Sequence, residues 1–160
     1  MKPLVQWFSE YSVSHQNSVN IFIHKFAVPM IIFSTLGLIY PLKVFAVAGY
    51  DIALAHLLVA AVLPYYVLLA PRLVVGITLE VLAMLFLWHQ IEASGVSVFL
   101  TALGVFAIAW VVQLIGHKIE GKKPSFLEDL AFLLIGPLWT MRFLYEKLGI
   151  RWNGNARGET

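Results

Sequence analysis

The sequence contains no cysteine, and only 12% of its residues are charged. Without thiols the chain forms no disulfide and offers neither a thiolate ligand nor a cysteine nucleophile, so any metal site must use nitrogen and oxygen ligands. So little charge, together with 60% hydrophobic residues and a mean hydropathy of +0.82, is incompatible with a soluble surface. The composition therefore predicts that lipid, not water, is the main solvent of this chain.

The basic residues are few and lie beside apolar segments. The net charge is only +2, and this placement suits lipid head groups better than a nucleic-acid groove. We therefore expect membrane lipids as partners and no nucleic acid. The stretch from Met1 to Glu10 has no apolar core followed by a small-residue cleavage site, so we expect no removed signal peptide.

Four apolar stretches are long enough to cross the hydrocarbon core of a membrane, which takes ~20 residues of helix. They are Asn20 to Tyr40, Asp51 to Ala70, Leu73 to Ile91 and Val96 to Gly116. Proline, glycine and serine separate them by short loops, which favour antiparallel neighbours. The sequence predicts an all-α integral membrane bundle of about four transmembrane helices.

A fifth segment, Ser125 to Leu148, predicts an interfacial or kinked helix, because charged residues and Pro137 interrupt it. Its first residue and Glu128 have the spacing of a capping box. We expect residues 1–152 to form one helical membrane domain and the polar tail, 153–160, to be disordered.

The distribution of charge predicts the orientation. With four crossings, the lysines and arginines of both termini, of the turn at Pro71 and of the loop Gly116 to Pro124 share one side, leaving only Lys43 opposite. The positive-inside rule makes the shared side cytoplasmic. Four tryptophans near predicted helix ends are expected to be interfacial anchors: Trp7, Trp88, Trp139 and Trp152.

The first polar cluster lies at the start of the first span. It comprises Tyr11, His15, Asn17, Asn20 and His24. At ~100° per residue Asn17, Asn20 and His24 share a helical face, whereas His15 would point away if the helix continued back to it. A helix start near Asn17 or Ser18 allows the preceding loop to fold His15 toward His24. Asn17 and Asn20 could orient the imidazoles or bind a substrate head group, but capping alone could explain Asn17.

The second polar cluster ends the fourth span. Spacings of three, four and three place Trp110, Gln113, His117 and Glu120 on one face. Such a stripe is expensive in lipid unless it faces protein or ligand. Three chain reversals bring this end to the side on which the first span begins, so His117 can meet the histidines of the first cluster. Three imidazoles and Glu120 would suit a redox iron or a zinc with open positions.

Other ionisable residues have more than one interpretation. Glu80 falls inside a span and is either functional or structural. His56 is expected to be structural, and His89 lies on the far side by the predicted topology. Lys122 and Lys123 satisfy the positive-inside preference and could also attract a fatty carboxylate.

Both polar clusters resemble the signature blocks of a membrane family of iron-dependent 2-hydroxy fatty acid dioxygenases, the α-oxidation enzymes of phytosphingosine breakdown in fungi. The first block runs from Tyr11 to Pro29 in the order Tyr, His, Asn, Asn, His, Pro. The second contains Trp110, Gln113, Gly116, His117, Glu120, Lys123, Pro124, Asp129, Gly136 and Pro137. The resemblance implies an Fe(II) site made by histidines, at which dioxygen cleaves a 2-hydroxy fatty acid to the acid one carbon shorter.

The resemblance also implies roles for particular residues. His15, His24 and His117 are the expected Fe(II) ligands and catalytic centre, with His89 and Glu120 as second-rank candidates. The residues expected around the ligands or the substrate are Tyr11, Asn17, Asn20, Gln113, Lys122 and Lys123. The expected location is the inner membrane in a bacterium and the endoplasmic reticulum in eukaryotic relatives.

Three other functions remain open from the sequence. The histidines could merely bond neighbouring helices in a non-enzymatic lipid-binding or scaffold protein. Paired histidines could bind haem as axial ligands. Zinc would accept the same ligands, with Glu120 as the general base of a hydrolase.

Overall fold

Helices dominate the structure, as the hydropathy pattern predicts. The computed structural model describes residues 2–124 and 131–152. In this part of the chain the elements are α1 Leu4–Ser12, α2 Ser18–Ile39, β1 Lys43–Val47, β2 Tyr50–Ala53, α3 Leu54–Leu69, α4 Leu73–Ala93, α5 Val98–Glu120 and α6 Phe132–Lys147. The predicted capping box at Ser125 and Glu128 and the predicted tail at 153–160 lie outside the described residues.

Three helices, α2, α4 and α5, are long and apolar enough to cross a membrane. They have 22, 21 and 23 residues. At about 1.5 Å per residue each exceeds the hydrocarbon thickness of about 30 Å. Helix α3 is apolar but has only 16 residues, about 24 Å by the same rise. Three of the four predicted spans therefore have the required length, and the fourth stays a prediction, as does an interfacial position for α6.

The all-α prediction is wrong between α2 and α3, where β1 and β2 form an antiparallel hairpin. Val47 pairs with Tyr50, and the two residues between them, Ala48 and Gly49, have φ of 51° and 81°. Two positive φ angles in a two-residue loop match the twist of a hairpin. Asp51 consequently lies in a strand, and α3 begins at Leu54.

Helix α2 begins where the capping residues predict. The side chain of Asn17 accepts a hydrogen bond from the backbone N–H of Val19 at 2.9 Å, and the helix starts at Ser18. Because the cap stops the helix from continuing backward, the residues before it form a loop between α1 and α2. His15 lies in this loop, so the direction of its side chain is not set by the axis of α2.

The antiparallel pair α2 and α5 forms the centre of the bundle. Trp88 of α4 is fully buried beside it, stacks on Phe33 at 4.2 Å between ring centroids and donates a hydrogen bond to the Phe33 carbonyl at 2.8 Å. A side chain at Gly37 would collide with the Trp88 ring and with Ala102 of α5. The absence of a side chain lets the helices approach closely, and their antiparallel direction places the start of α2 beside the end of α5.

Helices α1 and α6 cover this same end of the bundle. The Trp139 indole N–H of α6 donates to the Ser12 hydroxyl of α1 at 3.1 Å, and the Tyr66 hydroxyl of α3 donates to the Leu134 carbonyl at 2.9 Å. Trp88 and Trp139 are 0% and 1% exposed, so the prediction that they are interfacial anchors is wrong. Their rings fill gaps between helices, which proximity to a helix end does not reveal.

Candidate metal centre

Three imidazoles converge where α2 begins and α5 ends. His15 lies in the loop, His24 in the second turn of α2 and His117 in the last turn of α5. All three are buried, and one ligand nitrogen from each lies within 4.8 Å of the others. Ring centroids are 4.3 Å apart for His15 and His24 and 4.8 Å apart for His24 and His117. The structure therefore brings together the residues expected to be ligands.

Backbone carbonyls fix the tautomers of two of these rings. Nδ1 of His15 lies 2.6 Å from the Tyr11 carbonyl oxygen, and Nδ1 of His24 lies 2.9 Å from the Asn20 carbonyl oxygen. A carbonyl oxygen only accepts, so both Nδ1 atoms must donate. Each Nε2 then has a free lone pair. A ring N–H held by a backbone carbonyl is the usual arrangement behind a metal-ligating histidine.

The other imidazole nitrogens of His15, His24 and His117 have few hydrogen-bond partners in the described residues. Nε2 of His24 lies 3.2 Å from Nε2 of His117. In residues 2–124 and 131–152, the buried atoms His15 Nε2 and His117 Nδ1 have no hydrogen-bond partner. Leaving a buried polar atom unpaired costs roughly 1–3 kcal/mol. A cation bound by lone pairs would satisfy one nitrogen of each ring, so the donor set fits a metal ion.

Burial keeps His15 neutral. It lowers the pKa of the His15 imidazole to about 4, although the hydrogen bond to the Tyr11 carbonyl acts in the opposite direction. Near neutral pH the ring is therefore uncharged and its lone pair is available. The Tyr11 ring stacks on His15 at 4.1 Å, and burial raises the pKa of the Tyr11 hydroxyl above its usual range. The hydroxyl therefore remains a hydrogen-bond donor.

A small cavity of about 60 Å³ adjoins His117. Tyr11, Gln113, Gly136 and Pro137 contribute to its wall. The Gln113 side-chain oxygen is buried and accepts no hydrogen bond from any residue that the structure describes. The cavity therefore has polar residues in its wall next to His117, as a site for a small polar group requires.

The profile of the family described as "Mpo1-like: 2-hydroxy-palmitic acid dioxygenase Mpo1-like" matches residues 1–148, nearly the whole sequence. The chain belongs to the Mpo1-like family. It is similar to the 2-hydroxy-palmitic acid dioxygenase MPO1 of Saccharomyces cerevisiae, with 29% identity over 143 residues, covering 87% of this chain and 78% of the relative. No solved structure matches the chain. The resemblance inferred from the two polar blocks is confirmed at the level of the family.

In this Mpo1-like chain the Glu120 carboxylate binds the start of α2 and is not part of the three-histidine group. One oxygen accepts the Gln16 N–H at 2.8 Å, and the other accepts the Asn17 N–H at 2.9 Å and the Asn20 side-chain amide at 3.0 Å. A carboxylate is favourable at a helix N-terminus because the first N–H groups lack partners. Glu120 thus ties the end of α5 to the loop that carries His15.

We expect Glu120→Gln to weaken metal binding by about tenfold, in the lower part of the range for groups that orient ligands. Glutamine keeps one acceptor oxygen but places an amide where the second oxygen accepted hydrogen bonds. Titration of the purified variant with Fe(II) under anaerobic conditions measures the effect. Lys118→Gln, a change on an exposed side chain of the same helical turn, is the control. Equal affinity of the Glu120 variant and wild type would contradict a positioning role.

Other predicted site residues lie at the edge of the centre. The Asn17 side chain is exposed and caps α2, so capping accounts for it. Asn20 is fully buried and also donates to the Ser14 carbonyl at 3.3 Å.

The two lysines predicted near the site follow α5. The Lys122 ammonium donates to the Val13 carbonyl at 2.8 Å, and Lys123 is exposed.

Two further histidines lie at the hairpin end of the bundle. His89 is exposed near the end of α4, with its ring 5.8 Å from that of Tyr50 in β2, and the structure does not bring it to the three-histidine group. His56 accepts the Ala53 N–H at 3.0 Å, which fits its predicted structural role.

The sequence did not single out Trp139 as part of the centre. Its ring lies 5.2 Å from the His15 ring and 5.2 Å from the Tyr11 ring, on the side facing α6. Gly116 was noted in the resemblance, but its physical role appears only in the structure, where it allows Asn20 to approach α5. No periodicity indicates either contact, because both depend on packing between helices.

Proposed function

We propose that this chain is an Fe(II)-dependent dioxygenase that shortens 2-hydroxy fatty acids by one carbon, with His15, His24 and His117 as the metal ligands. The observation that carries the proposal is the buried group of three imidazoles, two of which have their Nδ1 protons held by backbone carbonyls. Family membership and the similarity to the yeast 2-hydroxy-palmitic acid dioxygenase support the reaction.

The proposed reaction balances without a further reductant. One 2-hydroxy fatty acid and one dioxygen give the acid one carbon shorter, carbon dioxide and water, with C1 leaving as carbon dioxide and C2 becoming the new carboxyl carbon. Bound Fe(II) would supply the redox-active centre that dioxygen chemistry requires. Histidine ligands fit this ion, because imidazole nitrogen is a suitable ligand for iron. The chain has no cysteine, so a thiolate ligand is excluded.

The residues around the imidazoles would hold the substrate head group. The Tyr11 hydroxyl and the Gln113 amide can donate hydrogen bonds to the carboxylate or the 2-hydroxyl in the cavity beside His117. Lys122 and Lys123 would raise the local concentration of the fatty carboxylate at this end of the bundle. The same lysines favour a cytoplasmic site, and the N-terminus lies at this end.

Anaerobic reconstitution with Fe(II), followed by exposure to dioxygen and 2-hydroxyhexadecanoic acid, tests the proposal. We expect one iron per chain, uptake of dioxygen and formation of pentadecanoic acid detected by mass spectrometry. Hexadecanoic acid, which lacks the hydroxyl group, is the control substrate and should give no shorter product. An iron-loaded protein that consumes no dioxygen and forms no shorter acid would overturn the proposed reaction.

The other functions left open by the sequence receive less support. A haem between these rings would need far more room than a cavity of about 60 Å³ and a nitrogen separation of 3.2 Å provide. Glu120 is engaged by three N–H groups and is poorly placed to act as a general base in zinc hydrolysis. A purely structural role for the histidines leaves two buried nitrogens unpaired in the described part of the chain.

A further inference from the structure

A second and larger cavity lies between the helices and is partly open to the surroundings of the bundle. Its volume is about 420 Å³, within the range of about 300–1000 Å³ for small-molecule pockets. Helices α2 to α6 all contribute to the wall, which is formed mainly by isoleucine, leucine, valine and aromatic side chains. Among the described residues that line it, Glu80 provides the one carboxyl group. We call this cavity the acyl chamber.

The acyl chamber adjoins the polar cavity beside the histidines. Five residues line both: Ile31, Ile32, Trp110, Leu133 and Pro137. Because the two cavities share these side chains, the chamber lies next to the space in which a head group near His117 would sit. The combined space is polar at one end and apolar at the other, which matches the chemistry of a fatty acid.

The length of the combined space also fits one acyl chain. Leu36 lines the chamber and lies 12 residues after His24 on α2, a distance of about 18 Å along the helix. One leaflet of a bilayer has a hydrocarbon thickness of about 15 Å, half of the usual 30 Å, and that thickness is filled by lipid acyl chains. The distance from His24 to Leu36 is therefore similar to the depth that one acyl chain fills in a leaflet.

We infer that the acyl chamber holds the hydrocarbon chain of the substrate and sets the chain length that the enzyme accepts. This inference rests on the proposed function for the identity of the head group. It assigns the α3 side chains, which contribute nothing to the three-histidine group, to the recognition of the chain. Val59 of α3 and Phe106 of α5 both line the chamber, so a change in the size of either side chain changes its volume.

Val59→Phe should narrow the chamber, and Phe106→Ala should enlarge it. Each methylene that loses its place in the chamber weakens binding about fourfold, which is about 0.8 kcal/mol converted at 1.4 kcal/mol per factor of ten. Val59→Phe is therefore expected to shift the preferred substrate to shorter acids, and Phe106→Ala to longer ones. Val67→Phe is the matched control, because Val67 is 52% exposed on the same helix as Val59 and does not line the chamber.

Two measurements test the inference. The first is the affinity of iron-free protein in detergent for 2-hydroxy acids of increasing length, measured by equilibrium dialysis. The second is the distribution of products formed by iron-loaded protein from an equimolar mixture of the same acids. We expect opposite shifts in the two chamber variants and the wild-type profile in Val67→Phe.

Identical chain-length profiles for wild type, Val59→Phe and Phe106→Ala would overturn the inference. Affinities that do not depend on chain length would likewise overturn it. They would indicate that a membrane lipid, and not the substrate chain, occupies the chamber. Failure of the proposed function gives a different result, since no protein would then form a shorter acid while the binding profiles could still differ. The two variants change size in opposite directions, so a general loss of folding in one of them cannot imitate the expected pattern.

Discussion

Replacing His117 by alanine is expected to abolish stoichiometric iron binding and to reduce product formation below detection. The imidazole supplies one of three nitrogen ligands that lie within 4.8 Å of one another, and alanine offers no lone pair in its place. Changes to groups that merely orient a ligand cost about 10–100-fold in metal affinity, so removal of the ligand itself should cost more. Elemental analysis of the reconstituted, desalted protein measures the bound iron directly.

His89→Ala is the control for this experiment. His89 also lies near the end of an apolar helix, but it is exposed at the hairpin end and is outside the three-histidine group. We expect this variant to retain wild-type iron content and activity. Retention of one tightly bound iron by His117→Ala, or loss of iron from His89→Ala alone, would show that the metal is held elsewhere.

Replacing Gly116 by alanine is expected to reduce activity by about 100-fold, the effect of displacing catalytic groups by about 1 Å. A Cβ at this position would lie 2.5 Å from the Asn20 side-chain oxygen and 3.3 Å from Cγ2 of Ile23. Asn20 is fully buried, and its amide is held by the Ser14 carbonyl and by Glu120, so it has little freedom to move aside. The start of α2 must therefore shift away from α5.

The shift would reach the metal centre directly. The Asn20 carbonyl accepts the Nδ1 proton of His24, so movement of Asn20 changes the position of that ring relative to His117. Overpacking of this kind costs typically 1–3 kcal/mol. Fe(II) titration and the rate of product formation, measured together on folded protein, give the affinity and the activity of the variant.

Gly104→Ala provides a matched control on the same helix. An added Cβ at Gly104 meets nothing within 4 Å among the described residues. Alanine is more favourable than glycine inside a helix by roughly 0.5–1 kcal/mol, so this variant should be slightly more stable and fully active. If Gly116→Ala behaved like Gly104→Ala, the close approach of α2 and α5 would not matter for the metal centre.

Features that depend on composition or on residues close together in the sequence were predictable from the sequence. The lack of cysteine predicted nitrogen and oxygen ligands. The long apolar runs predicted helices long enough to span a membrane, and α2, α4 and α5 have that length. Asn17 predicted the start of α2, since a cap acts on N–H groups two or three positions away. The antiparallel order of helices placed His15, His24 and His117 at one end without coordinates.

The hairpin shows where pattern reading failed. The hydropathy pattern predicts a helical span from Asp51, because the apolar residues there continue into the next helix. Strand pairing between Lys43–Val47 and Tyr50–Ala53 depends on the turn at Ala48 and Gly49. A short apolar run has no helical or strand period strong enough to decide between the two.

The roles of Glu120 and Trp139 also required the structure. The sequence predicts Glu120 to be either a metal ligand or a general base. Its three hydrogen bonds to the start of α2 give it a positioning role instead. The sequence predicts Trp139 to be an interfacial anchor, whereas the structure buries it beside His15. Contacts between residues about 100 positions apart are set by the packing of helices.

By itself, the sequence determined the apolar character of the long helices, the available ligand types, the family and the end of the bundle at which its histidines gather. These properties follow from composition, short-range periodicity and the alternating direction of successive helices. The tertiary structure decided which nitrogen of His15 and His24 carries the proton, which acid holds the loop and that an apolar chamber adjoins the polar cavity. Such properties depend on distances of a few ångströms between separate helices, and side-chain packing and hydrogen bonds between helices set those distances.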